Sequence, residues 1–513
     1  MAPEPAAHPG NHRLLLLACI LGSAMVFIDT TVVNVGLAAV GAGLHVGLGD
    51  QQWVVEAYLL ALGSLVLIGG SLGDVLGRRR VFAAGVAGFG AASLGCALAP
   101  SIGVLIVARA TQGVAAALLV PSSLAIITAT STPVRRGAMI GAWTASTSAA
   151  AAAGPPLGGL LIDLASWRLI FAINLPLAGA TLWLIARHVP ELPRRAQALD
   201  LPGALLCAAG LGGPVYALIH EPGHGWASIG VLLPLLAGLL LMAAFLVHER
   251  RTPEPMLSLE LFAIRSFAAA NAATVAVWGS LGATTFLVPL FLQQVAGYGA
   301  LGAGLALLPF TIMMVALSRR FGALAGRRGA RTMLGLGPVC AGIGVLMFAR
   351  LGARVNFATE IVPAAALLGL GMSATVAPLT ATLLGAVPPT HAGVASGVNN
   401  ALARVAGLLA IALVGLVVAT RFGSALDAGL PAGDALTQQR AADVRPLRVS
   451  QAPVELRPAV RGASVSAYRA GIVVCALLMA AGGPIAWGGV RAQESGRRRS
   501  GQMVAPSGAT LRS

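Results

Sequence analysis

Apolar runs of about 18 residues or more, the length that a helix needs to cross the hydrocarbon core of a bilayer, recur along this chain from end to end. They fall at about 14–38, 52–72, 81–99, 102–126, 137–160 and 167–187, then at 201–219 and 228–247. A last group covers about 268–292, 300–318, 332–349, 361–386, 392–420 and 467–490, making fourteen expected spans. Lipid offers backbone groups no hydrogen-bond partner, so spans of this kind fold as helices. With 57% hydrophobic and 10% charged residues and a mean hydropathy of +0.83, the 513-residue chain is not a string of soluble domains. The run 14–38 is too long for a signal-peptide core and carries Asp29, so it reads as a first membrane helix.

The formal charge of +16 comes entirely from arginine, distributed through short connections rather than along one face, which argues against a nucleic-acid partner. Of the 34 arginines, 22 fall on the side of both termini, ten on the other side, and two, Arg109 and Arg404, inside spans. The positive-inside rule then places both termini in the cytoplasm. The connection 421–466 opposes this bias with six arginines, but it also carries Asp427, Asp434, Asp443 and Glu455 and no membrane-length run. The five cysteines lie inside apolar runs without metal-ligand spacing, so neither a disulfide framework nor a metal site is expected. His220, His224, His248 and His391 stand at span ends and read as interfacial.

Between the second and third runs lies Gly70-Ser-Leu-Gly-Asp74-Val-Leu-Gly77-Arg78-Arg79-Arg80. Gly77 permits a tight turn, Asp74 can face the positive N-terminal end of another helix, and the arginines suit a headgroup-level loop. Gly322-Ala-Leu-Ala-Gly326-Arg-Arg-Gly329-Ala-Arg331 repeats the pattern after the second span of the last six. Such a repeat predicts two six-helix halves with a helix pair inserted between them. The expected boundaries are a 1–13 terminus, a 14–187 bundle, a 188–267 central pair with linkers, a 268–490 bundle and a 491–513 tail.

Polar residues inside the runs carry the functional signal. Asp29, near the middle of the first run, costs roughly 2.5–3.5 kcal/mol to insert, so it should face an interior cavity. It either exchanges protons or anchors a polar network with Thr30, Thr31 and Asn34. Glu56 is either interfacial or in the cavity. Arg109, followed by Gln112 and Gly113, cannot shed its charge and needs a partner, for which Asp29 and Glu56 are the candidates by depth. Arg404, preceded by Asn399 and Asn400, either bridges helices or takes part in gating. Gly154-Pro155-Pro156-Leu157-Gly158-Gly159 predicts a kinked helix that packs closely on its neighbours.

Together these elements resemble the fourteen-helix drug:proton antiporter family of the major facilitator superfamily, over nearly all of residues 14–490. The resemblance is carried by Asp29-Thr-Thr-Val-Val-Asn34, Gln52-Trp53, the Gly70–Arg80 loop, Arg109 with Gln112 and Gly113, and Gly154–Gly159. Trp167-Arg168 with Phe171, Asn174 and Pro176, Pro289 with Gln293, and Ala392 to Arg404 add to it. It implies an all-α membrane protein that exports small organic, antibiotic- or drug-like molecules in exchange for protons across the cytoplasmic membrane. Asp29, Glu56 and Arg109 would couple to protons, and Gly70, Asp74, Gly77, Arg78 and Arg79 would form a conformational switch. Gly154, Pro155, Gly158 and Gly159 would form the antiporter helix, which uptake members generally lack. Asn34, Gln112, Trp143, Phe286, Gln293, Asn400 and Arg404 are candidates for the substrate cavity. The helix beginning near Thr390 is the expected acceptor for Asp74. Two departures stand out: Leu37-Ala38 where the first-span motif usually ends in proline, and Glu56 where threonine is frequent. The alternatives are a proton-coupled metabolite symporter and a non-transport membrane protein on the same scaffold. No nucleotide-binding loop or nucleophile–base set points to an enzyme. No cofactor is expected besides the proton gradient, and the chain is expected to act as a monomer in the bilayer.

In a cysteine-free background, single cysteines at Gly433 and Ser495 should react with an impermeant thiol reagent from opposite faces of the membrane. Labelling from one face would reject the orientation.

Overall fold

The computed structural model describes residues 9–194, 200–253, 255, 257, 259–388, 392–430 and 444–490. Five long helices come first: α1 Pro9–Leu44, α2 Leu48–Leu76, α3 Arg78–Ala97, α4 Ile102–Thr130 and α5 Pro133–Leu164. The short α6 Leu169–Ala172 leads into α7 Asn174–His188. The central pair is α8 Leu201–His224 and α9 Ile229–Arg251. The second half comprises α10 Arg265–Gln294, the short α11 Ala300–Leu305, α12 Leu308–Arg328 and α13 Ala330–Met347, then α14 Val362–Gly385, α15 Ala392–Gly429 and α16 Arg457–Gly489.

Of the fourteen expected spans, twelve or thirteen are described helices that meet both the length and the apolarity needed to cross a bilayer. Twelve described helices are long and apolar enough to cross a bilayer, and α2 makes thirteen when its two segments, bent by 55°, count as one. The bend falls just before Gly69-Gly70, where a Cβ at Gly69 would sit 2.0 Å from the Ala117 carbonyl oxygen, so α2 leans directly on α4. The expected span 137–160 lies within α5, whose 32 residues suffice in length. Its serines, threonines, glycines and paired prolines keep it out of the set that meets both criteria. The connection expected at 421–466 is also shorter, because α15 runs on to Gly429 and α16 begins at Arg457.

The weak internal repeat has a geometric counterpart. Helices α2 and α3 are separated only by Gly77, with φ +101°, and α12 and α13 only by Gly329, with φ +89°. An L side chain rarely adopts that backbone region, so glycine makes each sharp reversal possible. In the central pair, Asp200 accepts a hydrogen bond from the Gly203 amide at the start of α8 and meets His248 of α9 at 2.7 Å. His248 is therefore an inter-helix partner rather than merely an interfacial residue; His391 lies outside the described residues.

The halves are joined at the end that bears the α15–α16 connection, here called the loop-bearing end. Gln293 of α10 donates to the Val35 carbonyl of α1 at 2.8 Å, and Gln52 of α2 donates to the Ile411 carbonyl of α15 at 3.0 Å. Asp163, in the last turn of α5, accepts from the amides of Ala300 and Leu301 at 3.1 and 2.9 Å. Beside it the glycines of α5 make the approach close. A Cβ at Gly159 would lie 2.5 Å from the Ala300 oxygen, and one at Gly304 would lie 2.3 Å from the Pro155 oxygen. Gly154 and Gly158 press in the same way on Thr31 and Val32 of α1.

Apolar packing divides along the same line. One core cluster takes residues from both halves, including Val33, Leu37, Phe286, Phe291 and Val414. Toward the opposite end, which carries the start of α1 and the finish of α16, the cores separate. One contains only first-half residues such as Phe82, Ile126 and Leu184, and another only second-half residues such as Phe267, Leu383 and Val398.

Asp163→Asn should loosen the loop-bearing end by about 0.3–1 kcal/mol, the usual worth of a carboxylate at a helix N-terminus. Gly159→Leu should part it far more. Spin labels at Ala42 and Ala353, both exposed at this end on opposite halves, should report a longer distance in both variants, larger in Gly159→Leu. Unchanged distances would show that α5 and α11 do not hold this end together.

Candidate functional site

Helices of the first half converge on one carboxylate. Asp29 is fully buried in α1, and Arg109 of α4, 1% exposed, places Nη1 2.5 Å from its Oδ2. The same nitrogen donates to Gln112 Oε1 at 2.6 Å, and Nε donates to the Val54 carbonyl of α2 at 3.0 Å. Gln112 Nε2 donates to Asp29 Oδ1 at 3.0 Å and to Ser93 Oγ of α3 at 2.9 Å; Asn174 Nδ2 of α7 reaches Asp29 Oδ1 at 3.4 Å. The guanidinium lies 4.2 Å from the centre of the Tyr58 ring and 5.8 Å from that of Phe171. Arg109 and Gln112 work together because residues three apart share a helix face.

A buried ion pair of this kind is tolerated because further hydrogen bonds support it, on Arg109 Nε and Nη1 and on both oxygens of Asp29. A proton arriving at Asp29 would compete with Arg109 for the same oxygens. Protonation would leave the guanidinium with carbonyl, amide and ring partners only, so proton occupancy and arginine position are physically linked.

Arg109 therefore takes Asp29 as its partner, and Glu56 takes no part in the cluster. Glu56 lies two residues from Tyr58 on α2, about 200° around the helix, and Tyr58 is the side that faces Arg109. Both carboxyl oxygens of Glu56 are buried without a hydrogen-bond partner. Glu56 is fully buried within the protein.

At the Gly70–Arg80 loop, Asp74 pairs with Arg78 at 2.8 Å, within its own half. Arg78 also donates to the Ala125 carbonyl, Arg79 donates to the Ala186 carbonyl, and Glu191 lies 3.7 Å from Arg79. The loop ties α2, α3, α4 and α7 together. Residues 389–391, including the Thr390 expected as a helix cap near Asp74, lie outside the described ones.

The candidate cavity residues separate into distinct surroundings. Phe286 is buried in the core common to both halves, and Gln112 belongs to the Asp29 network, so neither is free to line a cavity. Gln293 is engaged with Val35. Trp143 is half-buried on α5, donates to Ser23 Oγ at 3.1 Å and meets Phe27 edge-on. Asn34 is half-buried with Oδ1 unpartnered, Asn400 is exposed, and Arg404 is half-buried beside Gly63 of α2. Ser93, Tyr58 and Asp163 are not singled out by sequence reasoning. Only Asp163 carried a signal, as a lone acid at the end of an apolar helix.

A family model described as Major Facilitator Superfamily matches residues 19–411. The chain is 37% identical to the multidrug resistance protein Stp of Mycobacterium tuberculosis over 421 residues, covering 81% of this chain and 77% of that protein. It is 36% identical to a puromycin resistance protein of Streptomyces alboniger, over 78% of this chain and 81% of that one. The tetracenomycin C resistance and export protein of Streptomyces glaucescens is 32% identical, over 80% and 76% respectively. Among solved structures, a bacterial homologue of the human lysosomal transporter Spinster superimposes with a TM-score of 0.64 at 16% identity, over 94% of this chain and 98% of that one. A peptide transporter gives 0.61 at 15% identity, over 94% and 96%. At these identities the structural likeness concerns the fold alone.

Arg109→Ala should destabilise the protein by about 3–5 kcal/mol, because it strands a buried carboxylate. Asp29→Asn/Arg109→Gln, which neutralises both partners, should unfold at a higher temperature than Arg109→Ala in a detergent thermal-shift assay. The reverse order would show that the pair is not the organising contact of this bundle.

Proposed function

The chain belongs to the Major Facilitator Superfamily, a family of multi-pass membrane transporters, and on that premise we propose that it is a proton-coupled antiporter exporting small organic, antibiotic- or drug-like molecules by alternating access. The observation that carries the reading is the Asp29–Arg109 pair, fully buried within the first half. Resistance and export proteins among the relatives support the direction of transport and the substrate class. The antiporter-type helix α5, wedged between α1 and α11 by its glycines, supports exchange over symport.

With the termini in the cytoplasm, as the arginine asymmetry favours, the conformation is closed outward and parted inward. Asp29 takes up a proton when the cavity faces outward and releases it inward, and Arg109 re-forms the ion pair as the proton leaves. Substrate enters between the halves, where Asn34, Trp143, Asn400 and Arg404 offer polar and aromatic contacts. The Asp74–Arg78 loop keeps the first bundle rigid while the halves rock. Substrate and proton exclude one another because each favours a different position of the halves, with no direct contact between them.

In liposomes with an imposed pH gradient, Asp29→Asn should reduce uphill export at least tenfold while still permitting binding of uncharged substrates. Glu56→Gln should retain gradient-driven export. If Asp29→Asn still drives uphill export and Glu56→Gln does not, the proton passes through the other acid.

A further inference from the structure

Outside the Asp29 network, Glu56 is a buried acid without a partner, and its surroundings are specific. On α2, Gln52 reaches α15 at Ile411, Trp53 meets Tyr216 of α8 at 6.2 Å between ring centres, and Gly63 lies against Arg404. Leu59 and Leu60 pack with Leu211 and Val215 of α8 and Leu408 and Ala412 of α15. Glu56 stands three or four residues from Gln52, Trp53, Leu59 and Leu60, so helical spacing places it on that stripe. There α8 covers the seam between α2 and α15, helices of opposite halves. Both carboxyl oxygens are buried and unpartnered. One turn toward the loop-bearing end, Gln52 and Trp53 line a cavity of about 640 Å³ between α2, α8 and α15.

We propose that Glu56 is a second proton-binding site, filled from the loop-bearing side through this cavity, whose proton must be in place for α2 and α15 to close. An isolated carboxylate among Leu59, Leu211 and Leu408 would have no compensation for its lost hydration, so the closed seam accepts the acid only in its neutral form. When the seam parts, the Gln52–Ile411 bond breaks, the cavity deepens by one turn and water reaches the carboxyl. The O–H bond then breaks, and the proton passes to that water. Acid on the loop-bearing side therefore closes that end, and alkali opens it.

Other titratable and charged groups surround the seam. On α2 and the adjoining connection, Asp50 and Arg445 lie 4.0 Å apart. On α8, Cys207 is in the same cluster, and His220 and His224 line the cavity with their Nδ1 atoms on carbonyls of their own helix. On α15, Arg404 lies two turns further from the cavity and Asp427 lines its mouth. None is paired with Glu56. The proposal rests on the alternating-access reading in one respect, that the loop-bearing end opens.

The test uses full-length protein in nanodiscs, without its native cysteines and with spin labels at Ala42 and Ala353. In wild type the short-distance population should dominate at pH 5 and fall at least fivefold by pH 9. In an Asp29→Asn background, where the proton taken up by Asp29 does not contribute, a pH response should remain. Adding Glu56→Gln or Glu56→Leu there should make the distance distribution independent of pH, so poor folding of one does not remove the test. The double variant His220→Gln/His224→Gln should keep the wild-type response. A wild-type distance that ignores pH, an Asp29→Asn protein with no remaining response, a Glu56→Gln or Glu56→Leu variant of it that still responds, or a response lost in the histidine variant would overturn the proposal. The liposome export assay is read separately, so proton-coupled export survives or fails independently of this result.

Discussion

A guanidinium inside a bilayer-sized protein cannot be neutralised, and the first half is arranged around that fact. Arg109 draws Asp29 of α1, the Val54 carbonyl of α2 and, through Gln112, Ser93 of α3 onto one point, while Tyr58 and Phe171 cover its faces. Moving any of these helices would leave a charged or polar group without a partner in a medium that offers none. The same pair that makes this half rigid also makes it sensitive to a single proton, since a proton on Asp29 would compete with Arg109 for its oxygens.

Small residues decide where the halves touch. Between membrane helices there is little hydrophobic driving force, so association depends on close backbone approach. Gly159 on Ala300 and Gly304 on Pro155 provide it at one end, with Asp163 adding two backbone hydrogen bonds. Toward the other end each half keeps its own core. A contact held by fitted glycines and a few hydrogen bonds suits a surface that must part and re-form.

The central pair is more than a spacer. Helix α8 lies across the seam of α2 and α15 through Leu211 and Val215, turning what would be a two-helix contact into a sealed three-helix junction. By helical spacing Glu56 stands on the same stripe of α2, and it is fully buried.

The sequence by itself determined that this chain is a bundle of membrane helices, because each run had to satisfy its own backbone in lipid. It also marked Asp29 and Arg109 as requiring partners, since uncompensated charge at that depth is costly in any fold. The sharp breaks at Gly77 and Gly329 were legible for a similarly local reason. The span at 137–160 was the least legible, because α5 interrupts its apolar run with serines, threonines, glycines and prolines. Which acid Arg109 takes was decided by rotation about the α2 axis: Glu56 matched Asp29 in depth but faced the other way. Phe286 and Gln293 matched a cavity pattern, yet packing placed them in the joined end. Depth can be counted along one chain. The direction a side chain faces, and whether a partner waits there, depends on the neighbouring helix and so belongs to the tertiary structure.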